Sequence, residues 1–196
     1  SAEYAAEGLS AVTGRIGTGP WLGRVRAIVD DIFSLASLET PFASGPLPSS
    51  RAEVNGNLLR ILPGLSVQTG DPGYLELARR IGDAYCLGIL PANGGVPASE
   101  WSFTAGKARN AALSLNGAGY PIVEGLTMLC AIEAGKASPR APEYTQAVAR
   151  MLNALLGAAR SPEGLFYARI EPNGRGGYAV DRKNRSSAWP RLLAAC

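Results

Sequence analysis

The chain alternates between two kinds of predicted helix, and this alternation constrains its fold more than any other feature. Segments 54–67 and 121–134 are apolar on nearly every side, which is typical of helices buried all round. Segments 72–89 and 141–158 are amphipathic, with apolar residues on one face and charged residues mostly away from it. The sequence therefore predicts alternating inner and outer helices. The predicted order is outer 20–37, inner 51–68, outer 72–89, inner 119–135, outer 141–159 and inner 186–195.

The connections between these helices differ in length in a regular way. Inner-to-outer turns are short, whereas outer-to-inner connections span 38–50, 90–118 and 160–185. If the helices alternate, the long connections and the N-termini of the inner helices lie at one end, where functional residues concentrate. The last connection contains "GLFYARI" and "GGYAV" around "EPNGR", which predicts a β-hairpin. We expect one all-α domain over residues 1–196, built from helical hairpins, with this single small β-hairpin.

The composition excludes several kinds of chemistry. The 196 residues include no histidine, which removes Ser-His-Asp and Cys-His catalysis and zinc sites built on imidazole. The three cysteines, Cys86, Cys130 and Cys196, follow no metal-ligand spacing. We therefore expect no metal and no cofactor. Free cysteines in apolar segments favour a reducing compartment, so we predict a cytoplasmic protein, although a signal peptide removed before residue 1 would leave the same sequence.

The charge distribution argues against two classes of partner. The formal net charge is only +3, and it is spread along the chain. The one basic cluster, residues 182–185, is short and lacks interleaved aromatic residues, so a solvated loop explains it better than a nucleic-acid surface. No apolar run reaches the roughly 18 residues that are needed to span a bilayer. We expect no nucleic acid and no membrane partner.

Three local motifs resemble bacterial members of the six-hairpin glycosidase superfamily, which includes unsaturated glucuronyl hydrolases. The motifs are "EVNGNLLRILPGLSVQTGDPGYLELARRIGDAY", "NGGVPASEW" and "SPEGLFYARIEPNG", and the resemblance covers about residues 50–190. It implies an (α/α) toroid with a carbohydrate-binding mouth where the long loops gather. It also implies that aromatic side chains stack on sugars there and that acidic residues do the chemistry.

The chain departs from this family pattern in ways that affect the expected architecture. It holds about half of the helical hairpins of a full toroid, and Tyr120 and Pro121 stand where relatives carry a carboxylate and often His-Gly. Pro63 and Gly64 also interrupt the first inner helix, where proline removes a backbone hydrogen bond. We expect a partial toroid, which is a fragment, a compact variant, or one half of a homodimer that completes the toroid.

Glycoside hydrolysis needs two carboxyl groups that flank the scissile bond, and three residues are our candidates for them. Glu124 lies one turn into an otherwise apolar inner helix, where burial would favour a proton donor; pairing with Arg109 or Arg169 is the alternative. Glu53 lies at the start of the other inner helix, where it also fits a capping box. Asp181 follows the predicted hairpin, where a turn acid is the alternative.

Side chains near the long connections provide candidates for substrate binding. Aromatic rings there offer flat platforms for sugar rings, although each ring is individually more often part of a core. Asparagine amides can hold sugar hydroxyls, although caps and turns are equally common roles. The candidates are Trp101, Tyr120, Trp189, Tyr167, Asn55 and Asn57.

We keep three hypotheses for the function. The first is a metal-independent glycoside hydrolase that acts on an oligosaccharide or glycoside. The second is a non-catalytic saccharide-binding or assembly module, which the missing carboxylate at Tyr120 and Pro121 favours. The third is a diphosphate-processing helical enzyme, because "VDDIFS" (29–34) resembles part of the metal motif of terpene cyclases. We prefer the interpretation that Asp30 and Asp31 belong to the solvated face of an outer helix.

Overall fold

The computed structural model describes residues 2–16 and 19–195, without the side chains of residues 10, 12–16, 20, 189 and 195. The helices are α1 (Ala2–Ile16), α2 (Pro20–Ser34), α3 (Ala52–Thr69), α4 (Gly73–Asp83), α5 (Leu90–Ala92), α6 (Tyr120–Gly135), α7 (Ala141–Ala154) and α8 (Trp189–Ala195). The strands are β1 (Glu100–Ser102), β2 (Lys107–Asn110), β3 (Leu113–Ser114), β4 (Arg169–Pro172) and β5 (Tyr178–Val180). No described helix is both long enough and apolar enough to cross a membrane.

The fold is rich in helix but mixed, so the prediction of an all-α domain is wrong. Strands β1 and β2 form one antiparallel sheet, and β3, β4 and β5 form a second in that order. The β4–β5 pair confirms the hairpin that was predicted in the last long connection. Strands β1–β3 escaped prediction because each is two to four residues long, too short for an alternating pattern to be recognised.

Helices α3 and α6 run side by side in the same direction and approach each other very closely. A Cβ atom added to Gly56 would lie 2.6 Å from the Ile122 Cα, and one added to Gly125 would lie 2.6 Å from the Leu59 Cβ. The residue numbers in contact therefore increase along both helices in the same direction, as expected for parallel helices. Glycine, which has no side chain, allows the two backbones to meet at this crossing.

Helix α1, which the sequence analysis did not assign, packs against both α2 and α3. The Tyr4 hydroxyl donates a hydrogen bond to the Glu53 carboxylate, and Glu7 forms an ion pair with Arg60. Because the later residue of α1 contacts the later residue of α3, the two helices run in the same direction. Three parallel helices, α1, α3 and α6, thus form the inner layer.

The outer layer consists of α2, α4 and α7, each of which packs against the inner helix that precedes it. Charged side chains join the layers, because the Arg79 guanidinium donates to both oxygens of the fully buried Glu133 carboxylate, at 3.0 and 3.1 Å. Helices α4 and α7 each continue into a π-helical segment, Ala84–Ile89 after α4 and Leu155–Ala159 after α7.

The long connections meet at the N-terminal end of the inner helices, as predicted. The Trp101 amide donates to the Ser50 carbonyl at 2.9 Å, immediately before α3 begins. The Leu115 amide donates to the Ala168 carbonyl at 2.8 Å, which joins the second and third long connections beside α6. Both small sheets therefore lie near the starts of α3 and α6.

One face of the inner helices is open, which corrects the expectation that they are buried on every side. On α3, Gly64 is exposed and Val67 is 83% exposed. On α6, Thr127 and Met128 are half-buried and Ala131 is exposed. Because these residues recur every three or four positions, each helix carries a continuous open stripe.

Candidate functional site

A groove between α1, α3 and α6 contains the polar cluster that best fits a binding site. Its cavity of about 240 Å³ is lined by Glu7 and Ala11 of α1, Arg60 and Ile61 of α3, and Glu124 and Met128 of α6. The groove lies at the mouth-side end of the open stripe, because Arg60 and Glu124 each belong to the first half of their helix.

Arg60 connects the two carboxylates of this groove. Its Nη1 atom lies 2.5 Å from Glu7 Oε1, and its Nε atom lies 2.7 Å from Glu124 Oε2. All three side chains remain partly exposed. Hydrogen-bond acceptors, the two carboxylates, therefore lie on either side of a donor, the guanidinium. Such a site can both accept and donate hydrogen bonds within a small volume.

The ring of Tyr120 forms one end of the cluster. The guanidinium carbons of Arg60 and Arg191 lie 5.4 and 5.0 Å from its centroid, within the range of cation–π contacts. Arg191 also donates a hydrogen bond to the Tyr120 hydroxyl. The ring is only 7% exposed, so it supports the two arginines rather than presenting a free platform.

Glu53 has partners of a different kind from those expected. Its carboxylate accepts hydrogen bonds from the Tyr4 hydroxyl and from Arg51, the latter at 2.9 Å. The bond to Glu53 raises the pKa of the Tyr4 hydroxyl above its usual value. The expected capping box is not formed, because the residue that precedes α3 is Arg51 and no described side chain caps the helix. Glu53 instead fastens α1 to α3.

Asn55 and Asn57 are fully buried at the start of α3. The Asn55 amide donates to the Ser49 carbonyl at 2.9 Å and to the Tyr85 hydroxyl at 3.4 Å, while its oxygen has no partner among the described residues. The Asn57 amide lies close enough to the Tyr4 hydroxyl to oppose the rise in its pKa, but it makes no hydrogen bond of good geometry. Neither amide is open to the groove's solvent, so sugar hydroxyls do not reach them in this conformation.

Asp181 lies in a turn after β5. It accepts hydrogen bonds from the Lys183 amide at 3.1 Å and from the Asn184 side chain at 2.8 Å. The bond from Asn184 lowers the pKa of the Asp181 carboxyl. Its partners are therefore those of a turn acid, and none of them belongs to the groove.

Two of the remaining aromatic candidates, Trp101 and Tyr167, lie apart from the groove. Trp101 in β1 is 6% exposed, and Tyr167 is 8% exposed beneath Arg185, whose guanidinium carbon lies 4.7 Å from the ring centroid. The side chain of Trp189 lies outside the described residues. The structure therefore groups Tyr120 and Glu124, but not Trp101 or Tyr167, around Arg60.

Sequence reasoning missed Arg60 and Glu7. Its alternative for Glu124, a pairing with an arginine, is observed, but the partner is Arg60 rather than Arg109 or Arg169. Arg109 and Arg169 contact Glu100 and Glu171 instead. The charge of Arg60 in an otherwise apolar segment was a usable signal, since a buried helix rarely carries an unpaired charge. No signal in the sequence revealed that α1 brings Glu7 to it.

Other kinds of site receive less support. Within residues 2–16 and 19–195 no group of three acidic or cysteine side chains is arranged to hold a metal ion. In the "VDDIFS" segment, Asp30 accepts a hydrogen bond from the Tyr74 hydroxyl at 3.0 Å and so helps to join α2 to α4. No known protein family matches this chain, and no curated protein matches its sequence significantly.

Proposed function

We propose that this chain binds a neutral saccharide in the groove of Glu7, Arg60 and Glu124 without hydrolysing it. The observation that carries the proposal is that two carboxylates share one guanidinium in a cavity of about 240 Å³. Sugar hydroxyls donate to carboxylates and accept from guanidinium groups, so this arrangement matches a pair of neighbouring hydroxyls. Met128, which is half-buried, offers apolar surface for the C–H face of a sugar ring.

The resemblance to six-hairpin glycosidases favours a carbohydrate over other polyols. Within that resemblance, binding fits the site better than hydrolysis does. A general acid must reach the leaving oxygen of the substrate, whereas the Glu124 carboxyl already contacts the Arg60 guanidinium at 2.7 Å. Glu53 and Asp181 have partners outside the groove, so neither supplies the missing proton donor there.

One observation favours glycoside hydrolysis as a second candidate. Because Glu7 and Glu124 contact the same guanidinium, their carboxyl groups lie no farther apart than the roughly 9.5 Å that inverting glycosidases use. In that reaction one carboxyl group would have to protonate the leaving oxygen after a substrate displaces Arg60. The pair that deserves a test is therefore Glu7 with Glu124, rather than the pairs predicted from the sequence.

The experiment compares wild type with Glu124→Gln and with the control Glu100→Gln. Both glutamates are 39% exposed and both pair with an arginine, but Glu100 lies in β1 outside the groove. Binding of neutral mono- and oligosaccharides is measured by calorimetry and by the shift in melting temperature. We expect Glu124→Gln to weaken binding about tenfold or more, since hydrogen bonds to charged groups contribute roughly 1.5–3 kcal/mol.

Three outcomes decide between the candidates. If none of the sugars binds to the wild type, the proposal is refuted. Equal loss in Glu100→Gln and Glu124→Gln would place the binding outside the groove. Turnover of aryl glycosides that disappears in Glu7→Gln and Glu124→Gln, with both variants still folded, would establish the hydrolase instead.

A further inference from the structure

A second cavity, larger than the groove of Arg60, lies between the α4–α5 segment and α7. Its volume of about 620 Å³ falls within the range of roughly 300–1,000 Å³ that is typical of small-molecule sites. It shares no lining residue with the groove of Arg60. Tyr178 of β5 closes one end, where its hydroxyl donates to the Gly94 carbonyl at 2.7 Å.

One wall of this cavity is apolar and is built from an unusual backbone. Cys86 and Leu87 lie in the π-helical segment Ala84–Ile89, and Leu90 and Pro91 follow directly in α5. π-Helical turns inside helices occur frequently at functional sites, because the inserted residue redirects the side chains around it. Leu87 and Pro91 provide the exposed apolar surface of this wall.

The facing wall is a polar stripe on α7 whose side chains have no partners. Glu143, Gln146, Arg150 and Asn153 recur every three or four positions and all line the cavity. Across the described chain, none of these four side chains makes a hydrogen bond or an ion pair. Glu143 and Arg150 are two helical turns apart, so opposite charges face the cavity about 10 Å from each other.

We infer that this cavity binds a small amphipathic zwitterion about 10 Å long. The apolar body of the ligand packs against Leu87 and Pro91, its cationic end pairs with Glu143, and its anionic end pairs with Arg150. Charge complementarity carries this assignment, because the two unpaired charges have opposite signs and enclose an uncharged middle formed by Gln146 and Ala147. A ligand with one charge would satisfy only one end.

Three probes with one hydrocarbon chain test the inference on the full chain. They are 8-aminooctanoate, octanoate and octylamine, and their binding is measured by calorimetry. We expect the zwitterion to bind about fivefold more tightly than either singly charged probe, as the upper range of exposed ion pairs allows. Equal affinity of all three probes would overturn the charge assignment.

Variants locate the probe and separate its two ends. Arg150→Gln is expected to reduce the affinity for 8-aminooctanoate to that for octylamine, and Glu143→Gln to that for octanoate. The control Arg175→Gln removes an exposed arginine of the β4–β5 hairpin that does not line the cavity, and it should change nothing.

A steric test is independent of charge. Ala154→Trp fills the cavity from α7, whereas Ala149→Trp adds the same ring to the exposed side of that helix. We expect the first variant to abolish binding of 8-aminooctanoate and the second to retain it. If Ala154→Trp stays folded and binds as the wild type does, the cavity is not the site.

Discussion

Replacing Gly56 by alanine is expected to destabilise the protein, because this residue sets the distance between α3 and α6. The new Cβ would lie 2.5 Å from the Pro121 carbonyl carbon and 2.6 Å from the Ile122 Cα. Both are backbone atoms, which cannot rotate away as a side chain can. The two inner helices would therefore have to separate along the surface where they bury most of their leucine and isoleucine side chains.

Two opposing contributions determine the size of this effect. Overpacking of a dense core typically costs about 1–3 kcal/mol, and a clash with backbone belongs at the upper end of that range. Alanine in place of glycine within a helix recovers about 1 kcal/mol of intrinsic helix propensity. We therefore expect the free energy of unfolding to fall by about 2 kcal/mol. For a chain of this length that corresponds to a decrease in melting temperature of roughly 4–8 °C.

The same helix offers a matched control in Gly64→Ala. Among the described atoms, none lies within 4 Å of the position that a Cβ at Gly64 would occupy. This variant gains the propensity without the clash, so it should stabilise the protein by about 0.5–1 kcal/mol. Urea denaturation followed by circular dichroism gives both free energies. If Gly56→Ala is as stable as Gly64→Ala, the inference that the backbones of α3 and α6 are too close for a Cβ atom at residue 56 is wrong.

Three further predictions concern pH, thiol reactivity and assembly. Burial acts to raise the pKa of Glu133, but the hydrogen bonds from Arg79 outweigh burial and hold that pKa below 4.5. The stability that the Glu133 carboxylate contributes is therefore present above pH 4.5 and is lost as the pH falls through the pKa of Glu133 in the folded protein. Denaturation of wild type and Glu133→Gln at pH 3–7 would check this. Burial raises the pKa of the Cys86 thiol, so a disulfide reagent should modify Cys130 well before Cys86 in the native protein, and equal rates by mass spectrometry would contradict this. If the open faces of α3 and α6 pair between two copies of the chain, light scattering should detect a dimer that Val67→Lys weakens, and a monomer at all concentrations would refute such pairing.

The helical layers could be predicted because buried helices are recognisable in the sequence by their apolar residues. Segments 54–67 and 121–134 are apolar over more than three turns, and the structure places α3 and α6 there. Helix α1 is harder to recognise in the sequence: its segment mixes small, polar and apolar residues, and it packs against both α2 and α3. The strands of the long connections depend on pairing between distant residues, such as β3 with β4, which no local pattern records.

The candidate site could be predicted only in part, because the sequence indicates where a charged residue lies on its helix but not which residue of another helix it contacts. The sequence placed Glu124 and Glu53 at the starts of inner helices, and the structure agrees. It could not give the register between α3 and α6, and this register decides that Arg60 rather than another arginine reaches Glu124. It also could not bring Glu7 to the same guanidinium, since that contact spans 53 residues.

Partners distinguish the three carboxylates that helix polarity had treated alike. Glu53 holds α1 through Tyr4, and Asp181 closes its own turn, so a ligand would have to break a structural contact to use either one. Glu124 also has a partner, but its arginine is shared with a second carboxylate and the side chain remains open to solvent. A ligand hydroxyl can therefore join this cluster while Arg60 keeps one of its ion pairs. For this reason chemistry at the inner helices should depend on Glu124 and Arg60 together.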